Sequence, residues 1–310
     1  MRPRPLLDAA SRFGAAILGL VLLVAAWAKM IHPVAFAGEI EAQGLAVGLP
    51  PGAWAVLFVG FEAGLGTLLL LAVRRRWVLT PATALVGLFL FLNGRAYWRF
   101  ANGLIGADES CGCFGSLVER TPAEAFWQDL VLLVPPLVLA WLGARGVRGR
   151  AVDWRAAVAG VVTAAALLVA WKAPELPFDD LATRLSPGRE IADLCAGQGE
   201  ERACLDILVP ELTSGRHLVV MAEVVDPALV AAVPGLNRLA GEGGEILWLL
   251  TPSSEQERQL FFFQAAPAFS VREVPLPLLE PLYRALPRSF RVVEGRVVET
   301  FAGLPPAAAP

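Results

Sequence analysis

Apolar and polar positions divide this chain at Lys172. Before it, long apolar runs alternate with short arginine-rich loops; after it, apolar residues come in short segments separated by turn residues. Five runs, over 13–30, 54–73, 77–92, 126–142 and 154–171, reach or approach the roughly 17–25 residues a membrane-crossing helix needs. The first also has the outline of a signal peptide, with Arg2, Arg4 and Arg12 ahead of the apolar core and Ala26-Trp27-Ala28 as a cleavage site. Because more spans follow, it is expected to stay in the protein. Residues 173–186, rich in Pro, Leu and Asp, read as a linker or a membrane-surface segment. A βα alternation then begins, with strands at 217–223, 245–250 and 269–274 and helices at 227–240, 253–263 and 276–285. Ser254 with Glu257 three residues on marks a helix start. A hairpin over 290–294 and 296–301, turning at Glu294-Gly295, closes the pattern. The predicted organisation is a membrane α-helical bundle of four helices over 10–145, a fifth span over 154–172, a linker over 173–215 carrying Cys195 and Cys204, and an extracytoplasmic α/β domain over 216–305.

Composition strengthens the membrane reading. A mean hydropathy of +0.57 with 18% charged residues is too apolar for an ordinary soluble chain. The net charge of −3 gives no basic footprint for nucleic acid, so the partners expected are membrane lipid and an extracytoplasmic client protein with disulfides. The basic residues instead report orientation, because arginines near span ends stay on the cytoplasmic side. Arg2, Arg4 and Arg12 precede the first span, Arg74, Arg75 and Arg76 separate the second and third, and Arg145, Arg148, Arg150 and Arg155 separate the fourth and fifth. The N-terminus is therefore expected in the cytoplasm. The loop over 95–125 and everything after Lys172 are expected outside an inner membrane crossed several times, against the minor dissent of Arg95 and Arg99.

That orientation puts all four cysteines in one oxidising compartment. Cys111 and Cys113, in Ser110-Cys-Gly-Cys-Phe-Gly115, are the candidate catalytic redox pair. A bridge across one residue is forced from its preferred geometry and should reduce more easily than a structural one. Asp108 and Glu109 would raise the thiol pKa values, whereas Arg95, Arg99 and Arg120 would lower them if they fold over the loop. A metal would need further ligands, and the outer segments offer only His32, Cys195, Cys204 and His217, so no metal site is expected. Cys195 and Cys204, separated by Ala-Gly-Gln-Gly-Glu-Glu-Arg-Ala, read either as a structural staple or as a shuttle exchanging with Cys111 and Cys113.

Glu62 stands inside the second run, where a charge costs about 2.5–3.5 kcal/mol on insertion scales. It should face the bundle interior. One reading is a polar lock with Lys29 or Arg95; the other is a proton or quinone site, which makes a quinone the one cofactor the chain suggests. Gly60, Gly64 and Gly66 on the same run suit close helix packing.

These elements add up to a recognisable order. Trp27-Ala-Lys-Met-Ile-His-Pro33, Phe36-Ala37, Gly44-Leu45, Phe61-Glu-Ala-Gly-Leu-Gly66, Asn93-Gly-Arg95 and Cys111-Gly-Cys-Phe-Gly115 resemble the MauE branch of the DoxX-like membrane proteins over residues 10–145. The resemblance implies a four-helix membrane bundle and a role in methylamine utilisation, in maturing a disulfide-rich periplasmic dehydrogenase subunit. A second resemblance lies at Leu286-Pro-Arg-Ser-Phe-Arg-Val-Val-Glu-Gly-Arg-Val-Val298, which looks like the cis-proline segment and final hairpin of a thioredoxin, with Pro287 matching the proline. Where a thioredoxin carries Cys-x-x-Cys, this chain has Val224-Val-Asp-Pro-Ala-Leu229. The function expected is a membrane-anchored thiol-disulfide relay or maturation factor. The alternative is a non-enzymatic assembly scaffold with a redox-inactive thioredoxin-like domain that binds a client.

Overall fold

A computed structural model of the chain describes residues 5–106, 120–144, 154–197, 202–242 and 244–306. It divides into two units, Met1–Leu176 and Pro177–Pro310. Cys111 and Cys113 lie outside the described residues.

The first unit holds α1 (Pro5–Ile31), α2 (Pro33–Ala42), α3 (Pro51–Leu70), α4 (Arg76–Ala101), α5 (Pro122–Leu142) and α6 (Trp154–Lys172). All of these except α2 are long and apolar enough to cross a membrane, and each matches one of the five apolar runs. The tryptophans report the same arrangement. Of the nine in the chain, eight (Trp27, Trp54, Trp77, Trp98, Trp127, Trp141, Trp154 and Trp171) fall near the ends of these helices, where amphipathic rings settle at a membrane–water boundary. Leu20, Phe91, Val131, Val161 and Leu168 face outward between those ends.

The interior is a jigsaw of leucine and small residues. Leu18, Leu22, Leu69, Leu79, Leu85, Leu133 and Ala140 close one core among α1, α3, α4 and α5, and Ala26, Val59, Ala63, Ala166 and Ala170 form a second where α6 joins α1 and α3. Glycine sets the spacing. A Cβ built on Gly66 would lie 2.9 Å from the carbonyl oxygen of Gly19, so α1 and α3 touch backbone to backbone. Cβ atoms on Gly60 and Gly64 would meet Leu167 and Thr163 of α6 at 2.5 and 2.6 Å, as the close-packing reading of this helix requires.

The second unit contains α7 (Asp179–Ala182), β1 (Cys195–Ala196), β2 (Ala203–Cys204), α8 (Leu205–Leu208), β3 (Arg216–Met221), α9 (Pro227–Glu242), β4 (Ile246–Thr251), α10 (Glu255–Ala265), β5 (Ser270–Glu273), α11 (Leu276–Leu279), β6 (Arg288–Val293) and β7 (Arg296–Phe301). Its main sheet runs β5-β4-β3-β6-β7. Strands β3, β4 and β5 are parallel through the crossover helices α9 and α10, while β6 and β7 are antiparallel. Parallel βα units followed by an antiparallel hairpin, with a cis Leu286–Pro287 peptide entering β6, make a thioredoxin-like fold, as Pro287 predicted. Glu294 and Gly295 both take positive φ at the hairpin turn.

Two expectations change here. The helix expected over 276–285 stops at Leu279 and tightens into a 3-10 turn over Glu280–Leu282, because Pro281 removes a helix donor. The stretch expected as a linker, 173–215, is for the most part domain core. Leu185, Ile191, Leu194, Leu205, Val209 and Leu212 pack with Val219, Met221, Leu250 and Phe290 on one face of the sheet. The other face carries Leu218, Val220, Leu247 and Leu249 against Leu229, Val233 and Leu236 of α9 and Phe261 of α10. A central strand apolar on both faces needs two covers, and residues 185–197 and 202–212 help supply the second.

Candidate functional site

The sites grow from polar side chains placed in apolar surroundings. Lys29, in the last turn of α1, and Glu62, midway along α3, form a buried ion pair with Nζ 2.6 Å from Oε1. Both side chains are almost wholly enclosed, at 1% and 0% exposure. The Phe36 and Phe89 rings lie 5.1 and 4.9 Å from the ammonium and share its charge through their π faces. The polar lock therefore exists with Lys29. Arg95, the other expected partner, is exposed on α4 and takes no part in it. Its position within the last two turns of α4 lets the side chain reach outward, which costs a guanidinium far less than entering the bundle.

A second buried network escaped the sequence reading. Asp129, in the first half of α5, accepts from Arg120 Nη1 at 3.1 Å and from Asn93 Nδ2 at 2.7 Å. The signal was available: Asp129 is a carboxylate inside a predicted span, as Glu62 is. Arg120, considered as a cation for the cysteine loop, is buried and committed to Asp129 and Gln128. At the opposite ends of these helices, Arg74 donates to the Asp8 carboxylate at 2.7 Å.

In the second unit, Cys195 and Cys204 are a disulfide, directly opposed across the β1–β2 ladder, with S–S 2.07 Å. They are 7% and 9% exposed. Arg202 Nη2 lies 3.4 Å from Cys195 Sγ, a placement that would stabilise negative charge on that sulfur if the bond were reduced. The helix opening where thioredoxins carry their cysteines has other chemistry. Asp226 caps α9 by accepting from the Ala228 amide at 2.8 Å, Val224 donates to Ser253 Oγ at 3.3 Å, and Val225 stands 59% exposed. No sulfur is present there.

The cis-proline segment is held from beneath by arginine. Arg288, 1% exposed, donates to the carbonyls of Leu282 and Leu185 at 2.6 and 3.2 Å, to Thr183 Oγ1 at 2.5 Å and to Asp180 at 3.0 Å. Burial lowers the pKa values of Arg288 and Arg284, and the Asp179 carboxylate works against that in both. Burial likewise raises Tyr283, with Glu280 and Glu223 adding to it. The two histidines are structural. His32 Nδ1 accepts the Ala35 amide at the start of α2, and His217 sits between the Trp248 indole N–H at 3.1 Å and the Ser214 carbonyl at 2.6 Å. That pairing makes His217 Nδ1 an acceptor and Nε2 a donor.

Fold and sites define a multi-pass membrane protein carrying a thioredoxin-like domain with its own disulfide. Residues 7–142, which run from α1 to the end of α5, match the family described as "Methylamine utilisation protein MauE", so this N-terminal region is a MauE-family domain and α6 lies outside it. Protein TlpB of Flavobacterium psychrophilum is 32% identical over 77 residues, which is 25% of this chain; the chain spans about a fifth (20%) of that relative's length. Among solved structures, a protein described as a thiol:disulfide interchange protein, DsbE, from Chlorobium tepidum shares 17% identity at a TM-score of 0.32, covering 40% of this chain and 89% of its own. The thioredoxin domain of a thiol-disulfide oxidoreductase from Bacteroides vulgatus shares 12% at 0.31, covering 37% and 88%.

Proposed function

We propose that the protein is a membrane-anchored thiol-disulfide relay serving extracytoplasmic clients, with Cys111 and Cys113 as its exchanging pair. One observation carries this reading. Of the four cysteines, Cys195 and Cys204 are bonded to each other and largely buried, and the thioredoxin-like helix opening has none, which leaves Cys111 and Cys113 for exchange. A thioredoxin-like sheet without its own thiols is suited to presenting a client while a separate pair does the chemistry. Each exchange is a thiolate attack on a disulfide sulfur, and the displaced sulfur leaves as thiolate. The methylamine-type client, a disulfide-rich dehydrogenase subunit, and the orientation with a cytoplasmic N-terminus belong to the same proposal.

Cells carrying Cys113→Ser provide the test, because Cys111 would then lack its resolving partner and hold clients as mixed disulfides. Reductant-sensitive adducts of Cys111 are expected after acid quenching and alkylation. Their absence, together with full client maturation in the Cys111→Ser, Cys113→Ser double variant, would overturn the relay. That result would instead favour the scaffold reading, for which the exposed Val225 at the sulfur-free helix opening is the supporting observation.

A further inference from the structure

Two arginines stand against the charge pattern of the other loops. Arg95 and Arg99 lie at the opposite end of α4 from Arg76, where cations oppose the bias that keeps arginines on one side of the membrane. The exposed face of α4 runs Thr80, Ala84, Gly87, Phe91, Arg95 and Trp98, whereas Leu85, Phe89, Asn93 and Ala96 are buried. Arg95 is therefore on the lipid-facing stripe, and the exposed Arg99 is its neighbour one turn on. The tryptophans give its depth. Trp77 and Trp98 bracket about 31 Å of helix, the thickness of a hydrocarbon core, which puts Arg95 about 4–5 Å inside the level of Trp98. Its neighbours on the stripe, Phe91 and Trp98, are 67% and 62% exposed. Neither guanidinium has a hydrogen-bond, ion-pair or ring partner among the described residues. The carboxylates of α5 are already committed, Glu124 to Thr121 and Asp129 to Arg120 and Asn93. A cation in the last turn of a helix complements its dipole, which accounts for Arg99 but not for Arg95, a turn deeper. An unmatched guanidinium at the edge of the hydrocarbon is costly, and its long side chain relieves the cost by reaching an anion among the head groups.

We propose that Arg95 and Arg99 bind the phosphate of an anionic phospholipid. A guanidinium presents paired N–H donors that match phosphate oxygens, and two of them one turn apart can share one phosphate. Charge selects the kind of lipid. The whole of α4, Arg76–Ala101, contains no Asp or Glu, so the ammonium of a zwitterionic head group finds no acceptor there, while a phosphatidylglycerol head group brings only the negative charge. The stripe below the arginines suits the rest of the molecule. A Cβ added to Gly87 would meet nothing within 4 Å, so an acyl chain can lie along Phe91, Gly87 and Ala84 without displacing a side chain. In the orientation proposed above, the lipid belongs to the outer leaflet. The site itself depends neither on that orientation nor on the relay.

The full chain in detergent micelles, titrated with phosphatidylglycerol or with phosphatidylcholine of the same acyl chains and weighed by native mass spectrometry, is the test. Phosphatidylglycerol is expected to bind about tenfold more tightly than phosphatidylcholine. Arg95→Gln with Arg99→Gln should erase that preference, and Arg95→Lys with Arg99→Lys should keep part of it, because the charge stays and the paired donors go. Arg238→Gln, which removes an exposed charge from α9, should leave it unchanged. Both arginines are exposed, so the glutamine variants should unfold at the wild-type midpoint, and their loss of preference then reports the site rather than the fold. Wild-type protein with no preference, or a double glutamine variant that keeps it, overturns the site. Inorganic phosphate separates a lipid site from a free-anion site. Phosphatidylglycerol that stays bound in millimolar phosphate supports the lipid, and its displacement overturns that assignment.

Discussion

A carboxylate and an ammonium taken out of water each lose several kcal/mol of solvation, and their attraction compensates only when the geometry is close and the remaining atoms are matched. The Lys29–Glu62 pair meets the first condition at 2.6 Å and fails the second at Oε2. Lys29→Met should therefore destabilise the bundle by about 3–5 kcal/mol by stranding Glu62, whereas Lys29→Met with Glu62→Leu should recover most of that loss. Unfolding by SDS in mixed micelles measures both; a double variant no better than the single one would show that the pair is not the source. Arg288 follows the same logic in water-facing territory. It ties Thr183 and Leu185 to the cis-proline segment, so Arg288→Ala should cost about 3 kcal/mol of domain stability by urea unfolding. Glu62 and its partner were legible in the sequence because a charge in an apolar run must find an opposite one. Asp129 was equally visible, yet its partner Arg120 lies beyond the helix end, where nothing in the spacing predicts the chain's return.

Elements were read most accurately where their cause is local. The apolar runs became helices, and the capping box at Ser254 formed as expected, with Ser254 Oγ accepting the Glu257 amide and the Glu257 carboxylate accepting from Ser254. The Ser254 side chain and backbone hold the Glu257 carboxyl below its ordinary value of 4.5. A folded value below the unfolded one means that the cap's contribution is complete above the ordinary glutamate range and is lost as pH falls through the folded value. The protection of amides in the first turn of α10, measured against their intrinsic exchange rate at each pH, should therefore fall on acidification, and Glu257→Gln should flatten that pH dependence. Unchanged protection across that range would show that the box does not govern the helix start. Helix contacts are set by glycine in the same local way. Gly66→Leu should separate α1 from α3 and lower the bundle's unfolding midpoint, because the added side chain meets the Gly19 carbonyl. The segment 173–215 was misread for the opposite reason: short polar and Pro-rich stretches look like linkers, and only the second apolar face of β3 demands that they pack.

At the scale of the whole chain, two cores stabilised by different means meet the membrane and the water. The bundle draws on helix packing and buried ion pairs, and the α/β unit on a two-faced sheet with one disulfide. Cys195 and Cys204 are nine residues apart, so their bond removes little freedom from the unfolded chain. Loop-closure entropy puts its contribution at roughly 2–3 kcal/mol. Cys195→Ser with Cys204→Ser should lower the α/β unit's unfolding midpoint accordingly and leave the bundle's transition in place, as two-step unfolding followed by Trp248 fluorescence and by far-ultraviolet dichroism would show. The same variant separates staple from shuttle. A staple loses stability and keeps client exchange at Cys111 once assayed below the new midpoint. A shuttle loses exchange at temperatures where the domain is still folded, and in the wild type its bond would open to mild reductant without unfolding. Burial of both cysteines favours the staple, and the Arg202 guanidinium beside Cys195 argues the other way. Arg202→Gln tests that feature: the bond should become harder to reduce, because the departing thiolate loses its cation, and client exchange should slow with it under a shuttle and stay unchanged under a staple.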